Sequence, residues 1–243
     1  MSLALAHKRR LLAAGAAALV AAASAPVAYS PESALTSPAN ARKNLLLQEA
    51  ALDQDLERLS AINGLAGRQA LKRDELLPKY QDYVQRYCES GLNFPNRVLV
   101  QVMIWLFDTE EFDDGMELAH FAIGQGQQMP ERFKRDIQTF VADAVIEWAY
   151  AEYNAKRSPE PYLSDLLSLV DGEWELTEQI PAKYHKLVGI RAMEDKDWGL
   201  ALLHFERATA LYPKVGVDTR VENCRRALRK ESAAPYQPPP AKP

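Results

Sequence analysis

The chain has 243 residues, of which 47% are apolar and 26% are charged, and its formal net charge is −4. This length and composition exclude a disordered chain and predict one or two globular domains with a substantial core. The small net charge by itself excludes no class of partner. Its distribution is more informative, because Lys and Arg are in excess in residues 1–43 and 214–243, whereas Asp and Glu dominate residues 91–213. Basic ends on an acidic body often meet an anionic polymer.

Residues 1–40 combine a basic cluster, an alanine-rich run and a proline-containing linker. This order is typical of a secretory signal peptide, but also of a basic helix that stays on the protein. Alanine is weakly hydrophobic and a strong helix former, which favours the retained helix. Four residues of that helix, spanning little more than one turn, are then the predicted phosphate contacts: His7, Lys8, Arg9 and Arg10. The apolar run that follows is shorter than the roughly 20 residues of a membrane span, so no membrane association is predicted.

Residues 41–90 show helical periodicity with short interruptions. Leucines at positions 45, 52, 56 and 59 predict an amphipathic helix over 41–62. Their seven-residue step would also suit a coiled coil, although it lasts only about two heptads. A second helix is predicted over 65–77, ending before Pro78, and a third around 80–88.

The following segment contains the most apolar run of the chain, Val98–Phe107. Its β-branched residues would permit a strand, but its length and helical surroundings favour a buried helix. We predict that an acidic turn over Asp108–Asp114 joins it to a helix over 113–124. Further helices are predicted over 133–156 and 162–170, the latter with Ser164 as a possible N-cap.

The C-terminal third carries the clearest repeat pattern. Small residues, an aromatic and a closing proline stand at the spacing of a tetratricopeptide-type helical hairpin: Gly189, Ala192, Ala201, Phe205, Ala208 and Pro213. The fold class is therefore predicted to be all-α, a helical bundle with tetratricopeptide-like hairpins and a flexible basic N-terminal arm. The predicted domain limits are 1–40 for the arm and linker, 41–90, 91–231 for the hairpin domain, and 232–243 for a disordered proline-rich tail.

Motifs for catalysis are sparse. The sequence has no GxxxxGK[ST] phosphate loop and no GxSxG, and its four histidines form no HExxH. Its two cysteines, Cys88 and Cys224, form no CxxC and fit a reducing compartment. The carboxylates of Asp108–Asp114 could hold Mg²⁺ for phosphodiester cleavage, but the alternative of a solvated, acid-rich helix start is favoured. We therefore predict no catalytic residue, no metal and no cofactor on this chain.

A second basic group lies near the C-terminus: Arg220, Arg225, Arg226, Arg229 and Lys230. These side chains could form a basic helical face for nucleic acid. The alternative is a solvated helix end, where cations interact favourably with the helix dipole. No side chain can be assigned to a base edge, so sequence readout is not predicted.

Three segments, 71–84, 102–130 and 187–217, resemble the small terminase subunit of Peduovirus-type tailed phages. This family is also called the terminase endonuclease subunit. The resemblance covers about residues 42–230. It implies a protein of the host cytoplasm that binds double-stranded viral DNA and joins a large subunit to cut and package that DNA into the procapsid. It also implies a homo-oligomer, with ATP and Mg²⁺ bound by the large subunit. An exported helical scaffold with a cleaved signal remains the alternative.

Overall fold

The computed structural model describes residues 37–233 together with residue 35. All regular secondary structure in that part is helical, which confirms the predicted all-α fold. The α-helices are α1 (Pro38–Ala61), α2 (Leu65–Leu71), α3 (Leu77–Glu89), α4 (Arg97–Asp108), α5 (Phe112–Gly124), α6 (Ile137–Asn154), α7 (Tyr162–Ser168), α8 (Gln179–Glu194), α9 (Trp198–Leu211) and α10 (Asp218–Ala233). Two π-helical turns, π1 (Lys72–Leu76) and π2 (Leu169–Glu173), precede α3 and follow α7.

The chain divides after Ala50 into two compact units. In the first, the described part is dominated by the start of α1, which begins three residues earlier than predicted. Ser37 explains the difference, because its hydroxyl accepts a hydrogen bond from the amide of Asn40 at 3.3 Å. This is N-cap geometry, and Pro38 then occupies the first helical position, where its missing N–H costs nothing.

The second unit begins within α1 and contains every later helix. The prediction that the second helix ends before Pro78 is wrong, because helical backbone continues through π1 into α3. The amide of Leu77 donates to the carbonyl of Lys72, five residues earlier, instead of four. A proline ring clashes with the carbonyl four residues before it in a regular α-helix. The wider π-turn immediately ahead of Pro78 accommodates the ring without ending the helix.

Helix α4 forms the centre of this unit, and the preference for a helix over a strand is confirmed. Each residue of Val98–Phe107 is buried. The helix starts at an N-cap, since the Asn96 side chain accepts a hydrogen bond from the amide of Leu99 at 3.1 Å. Because α4 is buried around its whole circumference, it must be covered from several sides.

The neighbours of α4 supply that cover with aromatic rings and one close backbone approach. Trp105, which is 1% exposed, packs against Tyr80 of α3 with ring centroids 5.9 Å apart. Phe107 makes an edge contact with Phe140 of α6 at 5.7 Å. On α5, a Cβ added at Gly115 would lie 3.2 Å from the Phe107 ring, so the backbone of α5 approaches α4 closely.

Helix α6 begins four residues later than predicted, whereas α7 begins at Tyr162 as predicted. Helix α6 starts at Ile137, because the Asp136 carboxylate caps it by accepting the amide of Thr139 at 2.7 Å. Ser164 is not an N-cap, since it lies inside α7 and its amide donates to the carbonyl of Pro161 at 3.1 Å.

The C-terminal helices form the predicted hairpin. Asp197 caps α9 by accepting the amide of Leu200 at 2.9 Å. The two helices cross closely at Gly189, where an added Cβ would lie 2.7 Å from the Phe205 ring. Helix α10 then packs on α9 and buries Cys224 in the same cluster as Phe205. The tetratricopeptide resemblance of this hairpin stays a prediction.

Packing within the second unit follows the order of the chain. From α3 to α10, each helix packs against the next one along the sequence, and α6 also contacts α8. The predicted boundary near residue 90 falls between α3 and α4 and stays a prediction. The predicted arm, linker and tail lie outside the described residues, apart from a few that belong to the start of α1 and the end of α10.

The close crossing of α8 and α9 generates a stability prediction. Gly189→Ala should lower the free energy of unfolding by about 1–3 kcal/mol, because the new methyl group overpacks against the Phe205 ring. Gly199→Ala is the matched control in the same hairpin, where an added Cβ would lie 3.7 Å from Oδ1 of Asp197, an ordinary van der Waals distance. It should change stability by less than about 1 kcal/mol. Urea unfolding of both variants measures the difference, and equal losses would contradict the crossing.

Candidate functional site

The predicted DNA contacts of the N-terminal arm, His7, Lys8, Arg9 and Arg10, lie outside the described residues. Their role therefore stays a prediction from the sequence. The structure does place the second basic group, on α10.

Four of the five predicted basic residues on α10 face outward: Arg225, Arg226, Arg229 and Lys230 are all exposed. They lie opposite Cys224, which is buried against α9. Arg225 donates to the carboxylate of Glu206 on α9 at 2.7 Å, and Arg226 donates to the side chain of Asn223. The face is thus only partly neutralised by local acids, and its guanidinium groups reach solvent.

Arg220 does not belong to that outward face. It is half-buried, and its charge acts on Tyr150 and Lys186. Burial raises the pKa of Tyr150 to about 12, and the positive charge of Arg220 opposes that rise. The predicted five-residue basic face is therefore reduced to four residues.

The acidic turn between α4 and α5 is built into the fold by specific partners. Asp108 forms an ion pair with Lys72 of π1 at 2.7 Å. Asp113 accepts a hydrogen bond from the hydroxyl of Tyr162 at 2.9 Å. Glu111 accepts from the hydroxyl of Thr109 at 3.0 Å. Within residues 37–233, no group of three or more His, Cys, Asp or Glu side chains is arranged to hold a metal ion.

A polar cluster that the sequence did not predict joins π2, α8 and α9. The guanidinium of Arg207 donates two hydrogen bonds to the Asp171 carboxylate, at 2.8 and 2.6 Å. The same carboxylate lies 2.9 Å from Nε2 of His185, whose Nδ1 lies 2.8 Å from Nδ1 of His204. Four side chains from three elements therefore form one continuous network.

The protonation pattern of this network follows from its geometry. With both rings neutral, His185 donates from Nε2 to Asp171 and accepts at Nδ1 from the N–H of His204. Protonation of both rings would set two N–H groups against each other, so the pair cannot carry two charges in this arrangement. Burial lowers the pKa of both histidines, and the adjacent His185 lowers that of His204 further. The Arg207 guanidinium holds the pKa of Asp171 below its usual range, and the hydrogen bond from His185 adds to this.

This cluster stabilises the fold and leaves no group free for catalysis. The two facing imidazole nitrogens are occupied by each other, and Arg207 occupies the carboxylate. A positive guanidinium also opposes cation binding. The spacing of the hairpin residues could have predicted the contact between the two histidines. His185 lies one turn before Gly189, His204 is adjacent to Phe205, and Gly189 and Phe205 meet where the helices cross. Asp171 could not be foreseen, since it belongs to a π-turn outside the repeat.

Neither cysteine resembles a catalytic thiol. Cys88 is half-buried and Cys224 is buried, and both are free. Burial raises the pKa of each thiol, which reduces the thiolate fraction at neutral pH. None of the helices formed by the described residues combines the length and apolar character needed to cross a bilayer.

Comparison with known proteins shows that the chain is similar to phage terminase subunits. A family model described as phage small terminase subunit matches residues 49–179. The chain is 33% identical over 189 residues to the "Probable terminase, endonuclease subunit" of Haemophilus phage HP1 (strain HP1c1), which covers 72% of this chain and 67% of that protein. It is 28% identical over 160 residues to the "Terminase, endonuclease subunit" of Escherichia phage P2, with coverage of 66% and 65%. No solved structure matches the chain significantly.

The histidine cluster makes stability depend on pH. The folded-state pKa of His185 and of His204 lies below the ordinary value, so the unfolded chain binds more protons as pH falls below about 6.5. Their contribution is therefore complete above about pH 6.5 and lost on acidification, by at most about 1.4 kcal/mol per pH unit for each proton. His204→Gln removes one of the two titrating rings and should flatten this dependence. Urea unfolding of the wild type and of His204→Gln between about pH 7.5 and 5.5 tests the prediction. Identical slopes of unfolding free energy against pH for the two proteins would contradict it.

Proposed function

The chain belongs to the phage small terminase subunit family, and from this premise we propose that it binds double-stranded viral DNA and assembles with the large terminase subunit to cut and package that DNA. The observation that carries the proposal is the family match over residues 49–179, which covers more than half of the chain. The outward basic face of α10 supports the DNA-binding part, because exposed arginines can reach phosphate oxygens. The Lys8-Arg9-Arg10 cluster supports it from the sequence.

The large subunit supplies the motor in this proposal. It binds ATP and Mg²⁺, which agrees with the lack of a GxxxxGK[ST] motif in this sequence. The small subunit acts as a homo-oligomer, so that several basic surfaces bind the duplex together and strengthen a weak contact through multivalency. The complex works in the host cytoplasm.

Cleavage belongs to the assembled complex in this proposal, with this chain positioning the DNA. The two relatives are named as endonuclease subunits, and the carboxylates of the acidic turn are the candidates that a nuclease on this chain would use. Their contacts with Lys72 and Tyr162 support a structural role for Asp108 and Asp113 instead.

A salt series tests DNA binding and locates it. The variant Lys8→Gln/Arg9→Gln/Arg10→Gln should lose affinity and reduce the slope of log K against log salt by about 3, because each phosphate contact contributes roughly 0.9. The variant Arg225→Gln/Arg226→Gln/Arg229→Gln removes the same charge from the basic face of α10, and electrophoretic shift compares the two losses of affinity. A larger loss in the α10 variant would move the principal contact to α10. No binding by the wild-type chain at low salt would contradict the proposal as a whole.

The source of cleavage is tested with the isosteric variant Asp108→Asn/Asp113→Asn. DNA cleavage by its complex with the large subunit should stay within about twofold of wild type. In this proposal both carboxylates stabilise the fold through their contacts and neither binds a catalytic metal ion. The measurement is endpoint cleavage of linear viral DNA, with circular dichroism to verify folding. Loss of cleavage in a folded variant would assign catalysis to the acidic turn.

A further inference from the structure

A groove of about 510 Å³ runs between α3 and α5, with α4 beneath it. Apolar side chains form its floor and inner walls: Leu77 and Val84 of α3, Val102 and Leu106 of α4, and Leu118 and Phe121 of α5. The residues from α3 recur at helical spacing along about three turns, roughly 17 Å of helix. The groove is therefore an elongated trough about as long as three turns of a helix.

The rim of this groove is acidic. Glu89 at one edge and Glu111, Asp114 and Glu117 at the other are opposed by a single basic residue of the lining, Arg73. Asp114 and Glu117 are exposed, so their carboxylates face solvent at the mouth. The field of the rim reaches inside, because the charges of Glu117 and Glu89 add to burial in raising the pKa of Cys88, which lines the trough.

An apolar trough with a negative rim selects its occupant by two properties. The floor is apolar, so a helix seated on it would place apolar side chains there from its i, i+3, i+4 and i+7 positions. The rim requires positive charge flanking that apolar stripe, and it repels the phosphates of DNA. A basic amphipathic helix from a protein partner satisfies both conditions.

We propose that this groove is the docking site for the large terminase subunit, which inserts a short amphipathic helix carrying Lys or Arg beside its apolar face. The inference rests on the proposed function, because it names the surface through which the two subunits assemble. It assigns DNA and the large subunit to surfaces of opposite charge on the same chain. One partner does not then compete with the other for a site.

Cys88 provides a direct reporter of occupancy. It lines the groove and is half-buried, whereas the second thiol among the described residues, Cys224, is buried in the α9–α10 cluster. A helix seated in the trough should cover Cys88 and slow its alkylation at least about tenfold. Cys224 should react equally slowly in the free chain and in the complex.

The experiment combines alkylation with charge reversal. Full-length chain and large subunit are co-purified, and Kd and Cys88 alkylation are measured for wild type and for Asp114→Lys/Glu117→Lys. Both substituted residues are exposed, so the fold should tolerate the change, and circular dichroism verifies this. The control Glu173→Lys/Glu175→Lys makes the same change in net charge at exposed residues that do not line the groove.

The rim variant should bind the large subunit at least about tenfold more weakly, and the control should stay within about twofold of wild type.

Several outcomes would overturn the inference. A wild-type complex that persists in the rim variant, or that leaves Cys88 alkylation unchanged, rejects the groove while keeping the proposed function. Equal weakening in the control shows an effect of net charge alone. Protection of Cys88 at rising concentration of the chain by itself assigns the groove to a second copy. Failure of the wild-type chain to form any complex rejects the subunit assembly itself.

Discussion

The burial of α4 is the constraint on which most of the second unit depends. A helix that is buried on every side has no face for solvent, so the chain must place other helices around it. Helices α3, α5 and α6 do this with Tyr80, a close backbone approach at Gly115, and Phe140. The trough between α3 and α5 is a direct result, because two cylinders resting on a third leave a channel between them. The same constraint that builds the core therefore builds the groove proposed as a docking site.

Sequence reasoning predicted the elements whose pattern is local. The apolar run of α4 and the hairpin of α8 and α9 follow from composition and from the spacing of Gly189 and Phe205. Helix boundaries were less accurate where a single capping residue decides them, as Ser37 and Asp136 do. The π-turn before Pro78 could not be predicted, because it depends on whether the fold has room to widen a helix rather than end it.

The functional features divide in the same way. Basic clusters are visible in a sequence because charge requires no partner to be recognised. The Asp171–His185–His204–Arg207 network is not, since it forms only when π2, α8 and α9 are brought together. The acidic rim was visible only in part, as a turn, because its relation to an apolar floor is a property of three packed helices. The structure also corrected the basic face predicted on α10, because Arg220 is half-buried and the other four residues are exposed.

The packing of each helix on the next one along the chain has a consequence for how the molecule forms. Contacts between sequence neighbours keep the contact order low, so little loop-closure entropy is lost before native contacts compensate for it. A chain of this topology can acquire structure progressively as it leaves the ribosome, with α3 and α4 able to pack before α9 and α10 are made. For a protein whose largely apolar α4 is buried from Val98 to Phe107, that order shortens the time during which this aggregation-prone segment is exposed.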